Sequence, residues 1–211
     1  MATAVAADAR RRYLATDMRD EVVALLGRHV AADWREEEHR ARMLALLTSH
    51  TPFDRRSYEP GHFTASAFVL SPERDALALI FHKKLRIWVQ PGGHVEPGDG
   101  SLCAAARREV AEEIGVALEE PDCGAAFFDV DVHSIPARPG EPAHEHFDAR
   151  FRFVATSRTL APNDEVEGAR WVAFDDVDRF ATDESVRRAV RKLRATIPGD
   201  GLEKEGRPPD R

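Results

Sequence analysis

Apolar residues fall at helical spacing in the first part of the chain and in short β-prone runs after it, and the change of pattern divides it. Near the start, Val22, Leu25, Leu26 and His29 return at helical spacing behind a candidate cap at Thr16 or Asp17. A second helix is expected from Asp33, where Glu36 three residues on completes a capping-box pattern, and it carries Met43, Leu44 and Leu47 on one side. The run "REEEHR" inside it reads as a solvated helix face. "TPFDRRSYEPG" then breaks the periodicity with two prolines and a glycine, as a linker or strap into the next domain.

From Phe63 the pattern changes to short β-prone segments. "FTASAFVL" and "ALALIFH" predict strands joined by the hairpin connection "SPERD". "RIWVQP" predicts a shorter strand running into a glycine-rich turn at Gly92-Gly93, and a helix is expected from near Ser101. "AAFFDVDVHSI" and "HEHFDARFRFVA" predict long strands joined by "PARPGEPA", and "ARWVAF" a further short one. Two helices close the domain. The last is expected from about Asp183 to Thr196, buries Val186, Val190, Leu193 and Ile197, and ends at Pro198-Gly199. "DGLEKEGRPPDR" has almost nothing to bury and is expected to be disordered. The resulting division is a helical extension over residues 1–55, a mixed α/β domain over 56–198 and a tail over 199–211.

Composition narrows the function. A chain of 211 residues with 43% hydrophobic content suffices for one ordinary domain and an appendage. A net charge of -7 argues against a nucleic acid polymer held by bulk attraction, so a small anionic ligand needs a local cation. The two cysteines, Cys103 and Cys123, have neither CxxC spacing nor companion ligands, which predicts reduced thiols in a cytoplasmic setting. No apolar run has the length of a signal peptide or membrane span, so no membrane partner is expected.

That cation has a candidate site. At about 100° per residue, Cys103, Ala106, Val110 and Ile114 fall on the core side of the central helix, and Glu109, Glu112 and Glu113 project together beside them. Three neighbouring carboxylates repel one another unless a cation compensates. Taken alone, such a run is usually a solvated face. The preceding glycines change that, because they let backbone approach a ligand and offer a carbonyl as a further oxygen donor. An all-oxygen set suits Mg²⁺, or Mn²⁺, rather than Zn²⁺, and Mg²⁺ so held commonly binds substrate phosphates. Arg108 can orient one of the carboxylates.

"GGHVEPGDGSLCAAARREVAEEIGV" resembles the Nudix box, G-x5-E-x7-R-E-U-x-E-E-x-G-U with U aliphatic. Gly93, Arg108, Glu109, Val110, Glu112, Glu113, Gly115 and Val116 match it. Asp99 stands in place of the first glutamate, and one extra residue separates it from Arg108. The resemblance implies an α/β/α sandwich around a mixed sheet, here with an N-terminal two-helix extension. It also implies Mg²⁺-dependent hydrolysis of a nucleoside diphosphate linked to another moiety. Glu109, Glu112 and Glu113, with the Gly92 carbonyl, become the expected metal ligands, and Glu109, Glu112 and Arg108 the expected catalytic groups. Glu165 and Glu167 are rival bases outside the box.

For the substrate, alternation in "HEHFDARFRF" sets His144, His146, Asp148, Arg150 and Arg152 opposite a phenylalanine face. His146 and Asp148 are expected to meet a base or ribose and Arg150 a phosphate, with Gly92 and Gly93 lining the same site; an ordinary solvent-facing strand is the competing reading. His144 and His146 are too few to hold a transition metal without a third ligand. Trp88 is expected to pack. The N-terminal helices could lid the site or join two copies as a homodimer. Two other functions stay open: a nucleotide-binding regulator that does not cleave, and an isoprenoid diphosphate isomerase, for which the core-facing Cys103 is poorly placed.

Overall fold

A computed structural model of the chain describes residues 18–120, 122–164 and 166–196. Helix α1 runs through residues 18–28 and α2 through Trp34–Leu46, the latter capped by Asp33, whose carboxylate accepts the Glu36 N–H at 2.8 Å. The expected caps at Thr16 and Asp17, the buried position for Ile197 and the tail lie outside the described residues.

Among the described residues seven strands come after them: β1 (Gly61–Leu70), β2 (Ala76–His82), β3 (Ile87–Val89), β4 (Gly92–His94), β5 (Phe127–Ile135), β6 (His144–Val154) and β7 (Ala169–Ala173). They form one sheet in the order β3-β2-β1-β6-β5, with β4 also paired to β1 and β7 to β2. β1 is its axis, parallel to β6 and antiparallel to β2 and β4. Buried on both faces, it is apolar or small at nearly every position. Gly92-Gly93, expected as a turn, is strand, because Gly92 and Gly93 stand opposite Ser66 and Ala65.

Helix α3 (Leu102–Ile114), capped at its start by the Ser101 hydroxyl, lies on one sheet face with α1 and α2. Its core stripe is as predicted: Cys103, Ala106, Val110 and Ile114 are fully buried. It ends at Gly115, whose φ of 60° is left-handed and suits glycine. A single turn, α4 (Cys123–Ala126), precedes β5, and α5 (Glu184–Thr196) covers the opposite face with Val186, Val190 and Leu193 against Phe68, Leu77 and Leu79. Helices on both faces of a mixed sheet make the expected α/β/α sandwich. No helix among the described residues is long and apolar enough to cross a membrane.

Two expectations are corrected. Cys103 and Cys123 are joined as a disulfide, their Cα atoms 5.9 Å apart, because α4 brings Cys123 back against the buried face of α3. And Glu36, within "REEEHR", is buried: it accepts from the Ala32 N–H at 2.6 Å, meets His29 at 2.7 Å and binds Lys192 of α5. The N-terminal helices are thereby tied across the sheet edge to the last one.

Candidate active site

Arg108 organises the box. Its Nε and Nη2 donate to the two oxygens of Asp99 at 3.1 and 3.0 Å, and Nη1 donates to Glu109 and Glu112, each at 2.9 Å. Nη2 also donates to the His94 carbonyl at 2.9 Å, which fixes α3 to β4. Hydrogen bonds donated to Asp99, then to Glu109 and Glu112, stabilise the guanidinium further in its charged form. Asp99, which stands in place of the first glutamate of the box, is no bystander. It is buried, also accepts the Glu96 N–H at 2.8 Å, and takes both donors of the guanidinium fork on that side.

The glutamates differ in setting. Glu109 and Glu113 are buried and Glu112 is exposed. Glu113 accepts the Gly92 N–H at 3.0 Å. The two glycines serve separate ends. A Cβ at Gly92 would lie 2.3 Å from the Ser66 Cβ, so that glycine lets β4 pack on β1; a Cβ at Gly93 would lie 2.4 Å from Glu109 Oε1, so this one makes room for a carboxylate. Carboxylates gathered on one helix face, held by one arginine and cradled by glycine, form an all-oxygen donor set that fits a hard divalent ion.

The polar face of β6 is largely enclosed. Asp148 accepts from Thr64, Ser66 and Arg150 at 3.2, 2.7 and 2.9 Å. Arg150, expected to meet phosphate, is 2% exposed, with its guanidinium engaged by Asp129, Asp131 and Asp148. Asp129 also takes two 2.8 Å hydrogen bonds from Arg188. Burial works to raise Asp131, but Arg150, His133 and His39 hold it well below the usual carboxylate range. This network was invisible beforehand, since its members come from α2, β1, β5, β6 and α5.

Histidines gather at the end of that face. His146 is half-buried and His62 and His144 are buried, and the His94 ring lies 5.1 Å from that of His146 and 5.2 Å from that of His62. Desolvation holds His94 down to about 4 and His146 down to about 2. Trp88 packs between Phe81 and Phe180 as expected. Glu167 pairs with Arg86 at 2.7 Å, and Glu165 lies outside the described residues. Cys103, buried and disulfide-bonded, offers no nucleophile to an isomerase mechanism. A cavity of about 260 Å³ bordered by Arg28, Phe128 and Lys192 includes none of the box residues in its lining.

A family model described as the NUDIX domain matches residues 60–193. The chain therefore belongs to the Nudix family, whose enzymes generally use a divalent metal, and the fold and box are those of a Nudix pyrophosphohydrolase. Among solved structures, a Nudix-family hydrolase from Clostridium perfringens is 24% identical, with a TM-score of 0.46 over 67% of this chain and 98% of its own. The NUDIX domain of Shewanella oneidensis NrtR, complexed with ADP ribose, is 15% identical with a TM-score of 0.52 over 74% and 96%. A MutT protein from Methanosarcina mazei Go1 is 17% identical with a TM-score of 0.50 over 63% and 92%. Comparison with curated proteins gives no match.

Proposed function

We propose that the protein is a Mg²⁺-dependent hydrolase that cleaves the diphosphate linkage of a nucleoside diphosphate derivative by attack of water at phosphorus. The observation that carries this reading is the single guanidinium of Arg108 holding Asp99, Glu109 and Glu112 together, with Glu113 docked on the neighbouring Gly92 N–H. Glu109, Glu112 and Glu113, with the Gly92 carbonyl, would hold the ion. Bound there, Mg²⁺, or Mn²⁺ in its place, supplies positive charge to the diphosphate oxygens.

The chain's own residues do the rest. Arg108 fixes the rotamers of two glutamates and neutralises part of their mutual repulsion. Glu112, half exposed, faces solvent and is positioned to take a proton from the attacking water; Glu109 is the second candidate in the box, and Glu165 and Glu167 the candidates outside it. Gly93 keeps the ligand surface close to Glu109. His94 and His146 offer half-buried ring faces to a base or ribose. Asp148 and Arg150 support that wall from beneath by fixing β6 against β1 and β5.

The substrate class rests on the family and on neighbours described with nucleotide-derived ligands, ADP ribose among them. We keep with it a cytoplasmic setting, in which the full burial of Cys103 shelters the disulfide, and a pairing of two copies through the N-terminal segment, which exposes Val23 on α1, Val30 between the helices and Trp34 on α2. The test is release of mononucleotide or phosphate with Mg²⁺ across ADP-ribose, dinucleoside polyphosphates, sugar nucleotides and nucleoside triphosphates. Turnover of one class that disappears in Glu112→Gln supports the hydrolase and assigns Glu112. Full turnover in that variant refutes the assignment of Glu112. Tight binding without cleavage anywhere means a nucleotide-binding regulator.

A further inference from the structure

The register of the parallel β1–β6 pair sets His62 directly beside His146, and alternation brings His144 onto the same face two residues earlier. The ligand nitrogens of these three side chains all lie within 4.8 Å of one another. Two of the rings have their tautomers decided by the backbone. His62 Nδ1 lies 3.0 Å from the Ser57 carbonyl and His144 Nδ1 lies 2.9 Å from the Pro142 carbonyl. A carbonyl oxygen can only accept, so each Nδ1 carries the proton and each Nε2 presents a lone pair.

All three Nε2 atoms, of His62, His144 and His146, are buried without a hydrogen-bond partner among the described residues. Glu141 Oε1 stands 3.6 Å from His144 Nε2, beyond hydrogen-bonding reach. Leaving two fixed acceptors and a third buried ring nitrogen unsatisfied together is costly, and something must meet them. One water has two protons, enough for His62 and His144, and would meet His146 Nε2 only if that nitrogen carried the ring proton. Protonation of His62 and His146 is disfavoured by burial. An electron-pair acceptor satisfies all of them at once.

We propose that His62, His144 and His146 form a second metal site, for a borderline late first-row divalent ion of which Zn²⁺ is the representative, separate from the carboxylate site of the box. Three neutral imidazole nitrogens are the ligand class such ions take and Mg²⁺ does not. The Nδ1–H to carbonyl hydrogen bonds of His62 and His144 are the outer contacts that orient metal-binding histidines. Bonds of about 2.1 Å require the nitrogens to draw in from their present spacing, and the half-buried His146 has room to move. The fourth position is taken by water or by Glu141. The ion would pin the start of β1 to β6, beside β4, whose His94 carbonyl anchors Arg108.

The test uses the full chain, stripped with chelator and titrated with Zn²⁺ by calorimetry in excess Mg²⁺, then with Co²⁺ to read the coordination geometry from its visible spectrum. The expected result is one Zn²⁺ per chain, a four-coordinate Co²⁺ spectrum, and the same affinity in Glu112→Gln. His144→Gln should weaken Zn²⁺ at least about tenfold. Should His144→Gln not fold, His146→Gln, at a more exposed position, is expected to give the same loss. Absence of Zn²⁺ binding in excess Mg²⁺, unchanged affinity in a folded histidine variant, or loss of Zn²⁺ in Glu112→Gln would each overturn the proposal.

Discussion

The hydrogen on Gly93 faces the Glu109 carboxylate, at a spot where a methyl group would come within 2.4 Å of Oε1. The clash is with the far end of a flexible side chain, so Gly93→Ala should fold with stability changed by less than about 1 kcal/mol. The carboxylate would have to swing off its place. A misplacement on that scale is expected to lower turnover about 100-fold. Gly92→Ala provides the contrast, since its methyl would meet the Ser66 Cβ at 2.3 Å and Cα at 2.6 Å. Here backbone must move, and overpacking should cost about 1–3 kcal/mol or more. Urea unfolding paired with Mg²⁺-dependent turnover separates the two variants.

Arg108→Lys keeps the charge and loses the fork. Lysine cannot reach Asp99 with two parallel donors while also serving Glu109 and Glu112. Turnover is expected to fall by about 10- to 100-fold, the scale seen when contacts that orient metal ligands are removed. Part of that loss should return at high Mg²⁺. Asp99→Asn, which retains one acceptor for Arg108, should lie between wild type and Arg108→Lys in the same assay.

How much of this could be read beforehand depends on the distance in sequence between partners. The box is local: Arg108, Glu109, Glu112 and Glu113 share one helix, so helical periodicity alone set them side by side. Asp99 is nearby too, but its role depends on the turn geometry between Glu96 and Ser101, which no periodicity encodes. The alternation of β6 separated Phe147, Phe151 and Phe153 from the polar positions. It did not indicate that Asp148 and Arg150 would be sealed over, because β5 and α5 supply the cover. The third histidine was missed for the same reason: His62 meets His144 and His146 only through the parallel pairing of strands separated by the whole of the box. Glu36 looked solvated because its partner Lys192 lies near the other end of the chain.

Reduction of the Cys103–Cys123 disulfide should lower stability. The bond spans 20 residues, and closing a loop of that length in the unfolded chain is worth about 3 kcal/mol in the loop-entropy picture. Cys123→Ser, which leaves the buried Cys103 in place, should show the same loss by urea unfolding and make stability insensitive to reductant. Activity at low temperature should be nearly unchanged, because both sulfurs lie on the core side of α3, away from Glu109 and Glu112.

Glu36 links the N-terminal helices to α5 and sets an acid limit on stability. Burial acts to raise its pKa, but hydrogen bonds from His29, Lys192 and the Ala32 N–H prevail and hold it well below its ordinary value of 4.5. Its folded pKa is depressed, so the unfolded chain binds its proton first as pH falls. The contribution is complete above about pH 4.5 and is lost progressively below it. Glu36→Gln at pH 7 leaves the half-buried Lys192 and the buried Arg188 beside a neutral group and should cost about 3 kcal/mol. Urea unfolding between pH 7 and pH 3 should show the gap between wild type and Glu36→Gln constant down to about 4.5 and closing below that point. A gap that stays constant to pH 3 would mean that Glu36 is not the group that carries the acid sensitivity.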